Sequence, residues 1–134
     1  MNTAAMDKQL IISVHNEVGM LAKISGLIAD AGVNLIAVCG YTIDNRGFVV
    51  IVTEDNEKAK KILKGKSYDV REEEVILLTL DNKPGALKDV TDKIAKIGVD
   101  LTLVYGSVVA KGKESRIVLV SEDNATALAA IRIK

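Results

Sequence analysis

The chain has 134 residues, 49% apolar and 27% charged, a composition that supports a packed core and argues against disorder. Its 18 Lys and Arg side chains balance 18 Asp and Glu, and this zero net charge argues against nucleic-acid binding. The apolar runs are shorter than the roughly 20 residues of a membrane-spanning helix. Cys39 is the only cysteine, so no internal disulfide can form, and no secretory signal is recognisable. We therefore expect a cytoplasmic protein without membrane attachment.

The first predicted elements are a strand and a helix. Residues 1–7 are small and polar, and we expect them to form a disordered start. The run "QLIISV" that follows predicts a strand because it is rich in Ile, Leu and Val. Helical periodicity comes next, with Leu21, Ile24, Ile28 and Ala31 on one face. The glycine of "AGVN" marks the end of this helix.

A hairpin, a short helix and another strand follow. The apolar runs "LIAVCGYTI" and "FVVIVT" are separated by a polar turn that contains glycine, and this arrangement predicts a β-hairpin. The segment "EDNEKAKKILK" predicts a charged helix that is opened by an Asp or Asn cap. The segment "SYDVREEE" then supplies a last strand and a link to the rest of the chain.

The same series of elements then repeats. A shift of 66 residues pairs Asn16 with Asn82 and continues through the helix and second strand. After a two-residue insertion in the hairpin turn, "TEDN" pairs with "SEDN". We predict two tandem units, residues 8–72 and residues 73–134. We expect the last strand of the second unit to be short or missing, because only "RIK" remains for it.

Each unit reads βαββαβ, which predicts an α+β fold of two ferredoxin-like units with antiparallel sheets and helices on one face. In such a layer the second sheet face normally meets water and carries alternating polar residues. The runs "FVVIV", "VILLTL" and "RIVLV" are instead apolar at every position or nearly so. We therefore expect a homodimer or an intimate packing of the tandem units to cover that face.

The repeated corner carries a family resemblance. The segments "VHNEVGML" and "LDNKPGAL", each followed by an amphipathic helix and by "GVNL" or "GVDL", resemble the opening of ACT domains. These are regulatory amino-acid-binding modules of βαββαβ fold, with the pattern Asn-x-Pro-Gly-x-Leu after the first strand. The likeness spans roughly residues 8–132, and the layout resembles stand-alone tandem ACT proteins. The first copy departs from the pattern at Val18, where the family usually has proline.

The resemblance implies a ligand site where the strand-to-helix loop of one unit faces a neighbouring unit. In serine-sensing dehydrogenases of this superfamily, the loop Asn and the Asn after the first helix hold the amino acid. The residues carried over to this chain are Asn16, Glu17, Val18, Gly19, Met20, Leu21 and Asn34 in the first unit, and Asn82, Lys83, Pro84, Gly85, Ala86, Leu87 and Asp100 in the second. His15 lies one residue before Asn16 and does not match the position of the sensors' loop histidine.

The corner also suits an amino acid on chemical grounds. The first amides of a helix lack intrahelical partners and attract a carboxylate, glycine permits close approach, and an Asn side chain both donates and accepts. Asp100 would favour an ammonium group, a preference that Asn34 lacks. The alternatives are structural: Asn16 and Asn82 can serve as helix caps or Asx turns, and Asn34 and Asp100 can simply end the helix–strand turn.

These observations favour a non-catalytic, regulatory amino-acid-binding protein that senses or modulates amino-acid metabolism and needs no cofactor. The alternative is the regulatory subunit of a separate biosynthetic enzyme, such as acetolactate synthase. A small ferredoxin-like enzyme is a distant third, because one His, one Cys and four Arg form no recognisable catalytic motif. An RNA-binding sheet would need stacking aromatics, and Phe48 is the only Phe in a chain without Trp. A metal chaperone would need a loop with paired cysteines.

Overall fold

The computed structural model of the chain describes residues 2–107 and 114–132. The chain has two compact units. The first unit is Lys8–Glu73, and the second unit is Met1–Asp7 together with Glu74–Lys134. The elements in chain order are β1 (Thr3–His15), α1 (Met20–Asp30), β2 (Leu35–Ile43), β3 (Arg46–Thr53), α2 (Asn56–Gly65), β4 (Asp69–Asp81), α3 (Ala86–Lys96), β5 (Leu101–Ser107), β6 (Glu114–Ser121) and α4 (Asn124–Ile131). The predicted α+β class is confirmed.

The first unit has the strand order β4-β1-β3-β2, in which β1 and β4 contribute only their residues within Lys8–Glu73. Strand β3 runs antiparallel to both neighbours, with Leu10 opposite Ile51 on one side and Val38 opposite Ile51 on the other. This order is that of a ferredoxin-like unit. Its helix-facing core is built from alternate strand residues and one stripe of each helix: Leu10, Ile12, Val14, Ile24, Ile28, Val33, Val49, Ile51, Ala59, Leu63 and Val70.

The second unit repeats the plan with the order β1-β4-β6-β5, in which β1 contributes only Thr3–Asp7. Strand β6 pairs antiparallel with β4, with Leu78 opposite Ile117, and with β5, with Val104 opposite Leu119. Its core is equivalent to that of the first unit and consists of Ile76, Leu78, Leu80, Ala86, Val90, Ile94, Ile117, Leu119, Ala127 and Leu128.

Residues 3–7 differ from the expectation of a disordered start, since they form the beginning of β1. The Asn2 Oδ1 atom accepts a hydrogen bond from the Asp81 amide at 2.9 Å, and Ala4 packs against the second unit's core. The physical reason is that β1 and β4 are equivalent 13-residue strands that begin 66 positions apart. The first part of each completes one unit, and the second part opens the other. The small and polar residues of this segment do not indicate that it pairs with a distant strand.

The last strand that we expected to be short or missing after α4 corresponds to "RIK". Arg132 is the C-cap of α4, and residues 133–134 lie outside the described residues. The edge position next to β4 in the second unit is filled by Thr3–Asp7. Part of the hairpin turn "VVAKGKES", residues 108–113, also lies outside the described residues.

Both faces of the inner strands are buried, as their apolar sequences indicate. In β3, Val49 and Ile51 face the helices, while the alternating Val50 and Val52 are 1% and 0% exposed. Strand β6 shows the same property at Val118 and Val120, which alternate with its core residues.

Candidate functional site

The corner between β1 and α1, residues 16–19, is formed by a glycine in the left-handed conformation. Gly19 is the N-cap of α1, with φ 88° and ψ 6°, and Gly85 is the N-cap of α3, with φ 86° and ψ −6°. A residue with a Cβ would be strained at these angles, whereas glycine is not. The repeated glycine of the motif is therefore explained by backbone geometry at both corners.

The second corner, residues 82–85, is a β-turn. The Ala86 amide donates to the Lys83 carbonyl oxygen at 3.3 Å, and the intervening residues are Pro84 and Gly85. Proline at the second position and a glycine of positive φ at the third are the residues that a type II turn requires. Pro84 thus lies before the helix rather than in its first turn. In the first corner Val18 takes this position, and its side chain is fully exposed.

Neither corner asparagine occupies the N-cap position of a helix. Gly19 and Gly85 occupy the two N-cap positions, so no N-cap side chain accepts a hydrogen bond from the first turn of either helix. The Asn16 amide donates to the Asn45 carbonyl oxygen at 2.9 Å, which links the start of the corner to the β2–β3 turn. Its side-chain oxygen lies beside Gly47. The first amides of α1 therefore receive no hydrogen bond from an N-cap side chain, and Asn16 lines the same cavity as Met20 and Leu21.

A cavity of about 240 Å³ opens at the first corner. Its wall combines the corner with the facing parts of β2 and β3, and it is lined by Val14, Asn16, Glu17, Gly19, Met20, Leu21, Gly40, Tyr41, Thr42, Gly47, Phe48 and Val49. In the ladder, Gly40 lies opposite Val49 and Thr42 opposite Gly47. Gly40 and Gly47 thus line the cavity together with Asn16.

The second corner is more tightly filled at the equivalent positions. Ser115, which is 5% exposed, lies opposite Leu80 as Gly47 lies opposite Val14. A Cβ atom placed on Gly106 would come within 2.8 Å of the Arg116 carbonyl oxygen. The equivalent atom on Gly40 would be 3.8 Å from the Phe48 carbonyl oxygen. A Cβ atom would therefore fit at Gly40 but not at Gly106.

Asn34 and Asp100 occupy equivalent positions at the starts of the second strands of their units. The Asn34 carbonyl oxygen accepts from the Glu54 amide at 3.0 Å, and its side-chain amide donates to Glu54 Oε1 at 3.4 Å. The Asp100 carbonyl oxygen accepts from the Glu122 amide at 3.1 Å, and the Asp100 amide donates to Glu122 Oε1 at 3.2 Å. Both residues thus have a structural role in joining a strand start to a strand end.

The structure does not bring Asn16 and Asn34 to one cavity. Asn34 lines a separate depression of about 430 Å³ at the C-terminal end of α1, with Ser25, Ala29 and Leu35 among its neighbours. The two asparagines lie at opposite ends of an 11-residue helix, a separation of about 16 Å at 1.5 Å per residue. A single ligand cannot contact both within one unit.

Several cavity residues were not expected from the sequence. The shift of 66 residues pairs Gly40 with Gly106, but nothing in the sequence places Gly47 or Thr42 beside Asn16. Tyr41 and Phe48 form a cross-strand aromatic pair with ring centroids 5.1 Å apart.

Cys39, expected to be buried, is half-buried. Among residues 2–107 and 114–132, no cluster of His, Cys, Asp and Glu is suited to a metal ion.

Comparison with protein-family models matches residues 5–133 to the model of the ACT domain pair. The chain therefore belongs to the ACT domain pair family. This finding confirms the resemblance and, together with the observed topology, the fold of two tandem ferredoxin-like units. None of the curated proteins matches the chain. Within the described part of the chain, the helices are all too short or too polar to cross a membrane.

Solved structures share this architecture. Protein BT0572 from Bacteroides thetaiotaomicron matches with a TM-score of 0.87 and 26% identity, over 96% of this chain and 88% of that one. The ligand-free regulatory subunit of aspartate kinase from Thermus thermophilus matches with a TM-score of 0.64 and 14% identity, over 96% and 93%. The regulatory subunit of aspartate kinase from Thermus flavus gives 0.61 and 13%, over 97% and 94%. At these lower identities the likeness concerns the fold.

Proposed function

We propose that this protein is a regulatory amino-acid-binding protein, without catalytic activity of its own, that senses or modulates amino-acid metabolism in the cytoplasm. The observation that carries the proposal is the cavity of about 240 Å³ at the first corner, where an uncapped helix start, an amide side chain and an apolar floor converge. Membership of the ACT domain pair family and the fold of regulatory subunits support it.

The ligand in this proposal is an α-amino acid bound as a zwitterion. Its carboxylate accepts from the first amides of α1, which carry the positive end of the helix dipole. Its ammonium group is held by the Asn16 side-chain oxygen and by the Glu17 carboxylate at the rim of the cavity. Its side chain enters the cavity against Val14 and the other apolar residues of the floor. A cavity of this size favours a small side chain.

The first corner is the better candidate for occupancy, because its cavity is lined by Gly47, where the second unit has the larger, buried Ser115. In this proposal Asn16, Glu17, Gly19, Met20 and Leu21 contact the ligand. The second corner, Asn82 to Leu87, binds more weakly, and Asp100 has the structural role described above.

The proposed assembly is a homodimer. Val18 is fully exposed and Leu21 is 51% exposed, so the first corner presents apolar surface beside its cavity. Asn34 lies at the far end of α1, so it can contact a ligand at the first corner only from a second copy of the chain. Ligand occupancy would then stabilise the dimer, because residues of two chains hold one molecule.

The experiment is a thermal-shift screen of the intact protein against the twenty amino acids, repeated with the variants Asn16→Ala and Asn82→Ala. A ligand at 100 times its Kd stabilises by about 2.7 kcal/mol. We expect one or a few small amino acids to raise the Tm, and Asn16→Ala to abolish that increase while Asn82→Ala retains it. No increase with any amino acid at millimolar concentration would overturn the proposal. Loss with Asn82→Ala alone would move the site to the second corner.

A second candidate function is the regulatory subunit of a separate biosynthetic enzyme. It is favoured by the match to aspartate kinase regulatory subunits, in which 93% of the Thermus thermophilus chain is covered. Acetolactate synthase is another enzyme class with such a small subunit. Affinity purification from the native host separates the two versions. A biosynthetic enzyme recovered in stoichiometric amount supports the subunit, whereas a free homodimer supports the stand-alone sensor.

A further inference from the structure

The second unit contains a cavity of about 520 Å³ away from either corner loop. It lies between the N-terminal strand segment, β4, α3 and the end of α4, and is lined by Asn2, Thr3, Ala4, Leu78, Leu80, Asp89, Val90, Lys93, Ile131 and Arg132. Leu78 and Leu80 are core residues, 0% and 2% exposed. The cavity therefore reaches from the protein surface to the core, and its volume is within the range of small-molecule sites.

Two lining residues of this cavity differ in size from their counterparts in the first unit. In the first unit Tyr68 and Val70 pack against the core at the start of the completing strand segment. The shift of 66 residues makes Asn2 and Ala4 their counterparts in the second unit. A large aromatic ring and a branched side chain are thus replaced by a short amide and a methyl group. Among the described residues, the second unit keeps the backbone frame with smaller side chains at these two positions.

Two cationic side chains lie on the polar side of the cavity, and each is held by a hydrogen bond to a backbone carbonyl oxygen. Lys93 Nζ donates to the Ile131 carbonyl oxygen at 3.2 Å, and Arg132 Nη2 donates to the Ala4 carbonyl oxygen at 2.9 Å. A guanidinium has five N–H groups, so Arg132 can donate further hydrogen bonds while keeping this one. Among the described residues of the lining, Asp89 is the only one with a carboxylate, and it lies one helical turn before Lys93. Two positive charges and one negative charge thus border an apolar floor.

We propose that this cavity binds a small organic carboxylate with a branched hydrocarbon body. The carboxylate pairs with Arg132 and Lys93, and the hydrocarbon packs against Leu78, Leu80 and Val90. This is a site in addition to the amino-acid site proposed at the first corner. Asp89 adds selectivity, because its carboxylate attracts the ammonium group of an α-amino acid and gives no such advantage to the corresponding α-keto acid.

The test is a titration of the full-length protein, carrying ¹³C-labelled methyl groups, with L-leucine and separately with its α-keto acid. We expect the methyl signals of Leu78, Leu80, Val90 and Ile131 to shift with at least one probe, and those of Val14 and Val49 at the first corner to stay unchanged. Absence of shifts at the four cavity methyls with both probes at millimolar concentration would overturn the proposal. Shifts confined to Val14 and Val49 would also overturn it and would support the corner site instead.

Variants taken from the first unit make the test sharper. The double variant Asn2→Tyr and Ala4→Val places two larger side chains in the lining of the cavity, and we expect it to remove probe binding while the corner residues are untouched. Retained binding in this folded variant would overturn the proposal. Arg132→Gln keeps the cavity open and is expected to weaken binding by about tenfold, because it removes a charge-assisted hydrogen bond. Asp89→Asn should weaken leucine only, and an equal effect on both probes would refute the selectivity assigned to Asp89.

Discussion

Gly47 lies directly opposite Val14 in the β1–β3 ladder, and a Cβ atom on Gly47 would come within 3.2 Å of Val14 Cγ2 and 3.8 Å of Asn16 Oδ1. Both residues of this pair line the cavity at the first corner. In the second unit the equivalent pair is Leu80 and Ser115, and the serine is buried. One residue in each ladder therefore distinguishes two corners that share the same loop motif and the same left-handed glycine.

The first prediction concerns Gly47→Ser, which gives the first unit the residue of the second. We expect the variant to fold and the affinity of the corner for its amino acid to fall by tenfold or more, because the added Cβ atom would lie 3.2 Å from Val14 Cγ2 and would force this side chain of the cavity lining to move. A tenfold loss corresponds to about 1.4 kcal/mol of binding free energy. Isothermal titration of the wild type and the variant measures the difference.

Gly26→Ala is the matched control for Gly47→Ser. Gly26 lies within α1, and a Cβ atom there would meet nothing within 4 Å. The control should leave amino-acid affinity unchanged and raise the free energy of unfolding by about 0.5–1 kcal/mol, the cost of glycine relative to alanine in a helix interior. Equal affinities for Gly47→Ser and the wild type would show that the space beside Gly47 is not used.

The second prediction concerns the left-handed N-caps. Gly19→Ala and Gly85→Ala place a Cβ at φ 88° and φ 86°, and we expect each to lower the free energy of unfolding by about 1–2 kcal/mol. A Cβ atom on either residue would meet no neighbouring atom within 4 Å, so the loss comes from backbone strain rather than a clash. Urea denaturation measures it. Losses below those of ordinary surface substitutions would mean that the two loops relax to another conformation.

Local patterns of the sequence were sufficient to predict the fold. The helix ends were recognisable from Gly32 and Gly98, because a glycine often follows a helix in the left-handed conformation. Both glycines take this conformation in the structure, with φ 75° and φ 71°. The caps Asp55 and Asp123 were likewise local, since each accepts from an amide three residues later. Information of this kind lies within a few positions along the chain.

The parts that the sequence did not predict depend on contacts between distant residues. Thr3–Asp7 forms a strand because of its neighbour β4, and the composition of the segment alone indicates a disordered end. The corner cavity depends on the position of Gly47 across a ladder, and no spacing rule places Gly47 beside Asn16. The motif also suggested that Asn16 and Asn34 act together, although a helix of 11 residues separates them in the structure.

The third prediction concerns acid stability. The Asp123 carboxylate accepts from the Thr126 hydroxyl at 2.6 Å and from the Thr126 amide at 3.1 Å, and these hydrogen bonds lower the pKa of Asp123 below its usual value. A lowered pKa in the folded state gives stability that is complete above the ordinary pKa of about 3.9. This stability is lost as the pH falls through the lower folded value. We expect Asp123→Asn to flatten the loss of Tm between about pH 5 and pH 2.

Thr126→Val separates the two hydrogen bonds of Asp123. It removes the hydroxyl donor and keeps the amide donor, so it should reduce the acid-dependent loss of Tm only in part. Thermal unfolding followed by circular dichroism across the pH range measures all three proteins. An identical pH profile for the wild type and Asp123→Asn would show that other carboxylates determine the acid limit.

The fourth prediction tests the N-terminal strand segment with a pair of adjacent alanines. Ala4 packs against the second unit's core, whereas Ala5, on the opposite side of the strand, is exposed. Ala4→Lys places an ammonium group beside Lys93 and Arg132 and against apolar side chains, so it should lower the free energy of unfolding by about 1–3 kcal/mol. Ala5→Lys should change it by less than about 0.5 kcal/mol. Hydrogen exchange should accelerate in the Glu74–Asp81 part of β4 only in the Ala4 variant. If this segment were frayed in solution, the two variants would be indistinguishable, because neither alanine would have a fixed neighbour.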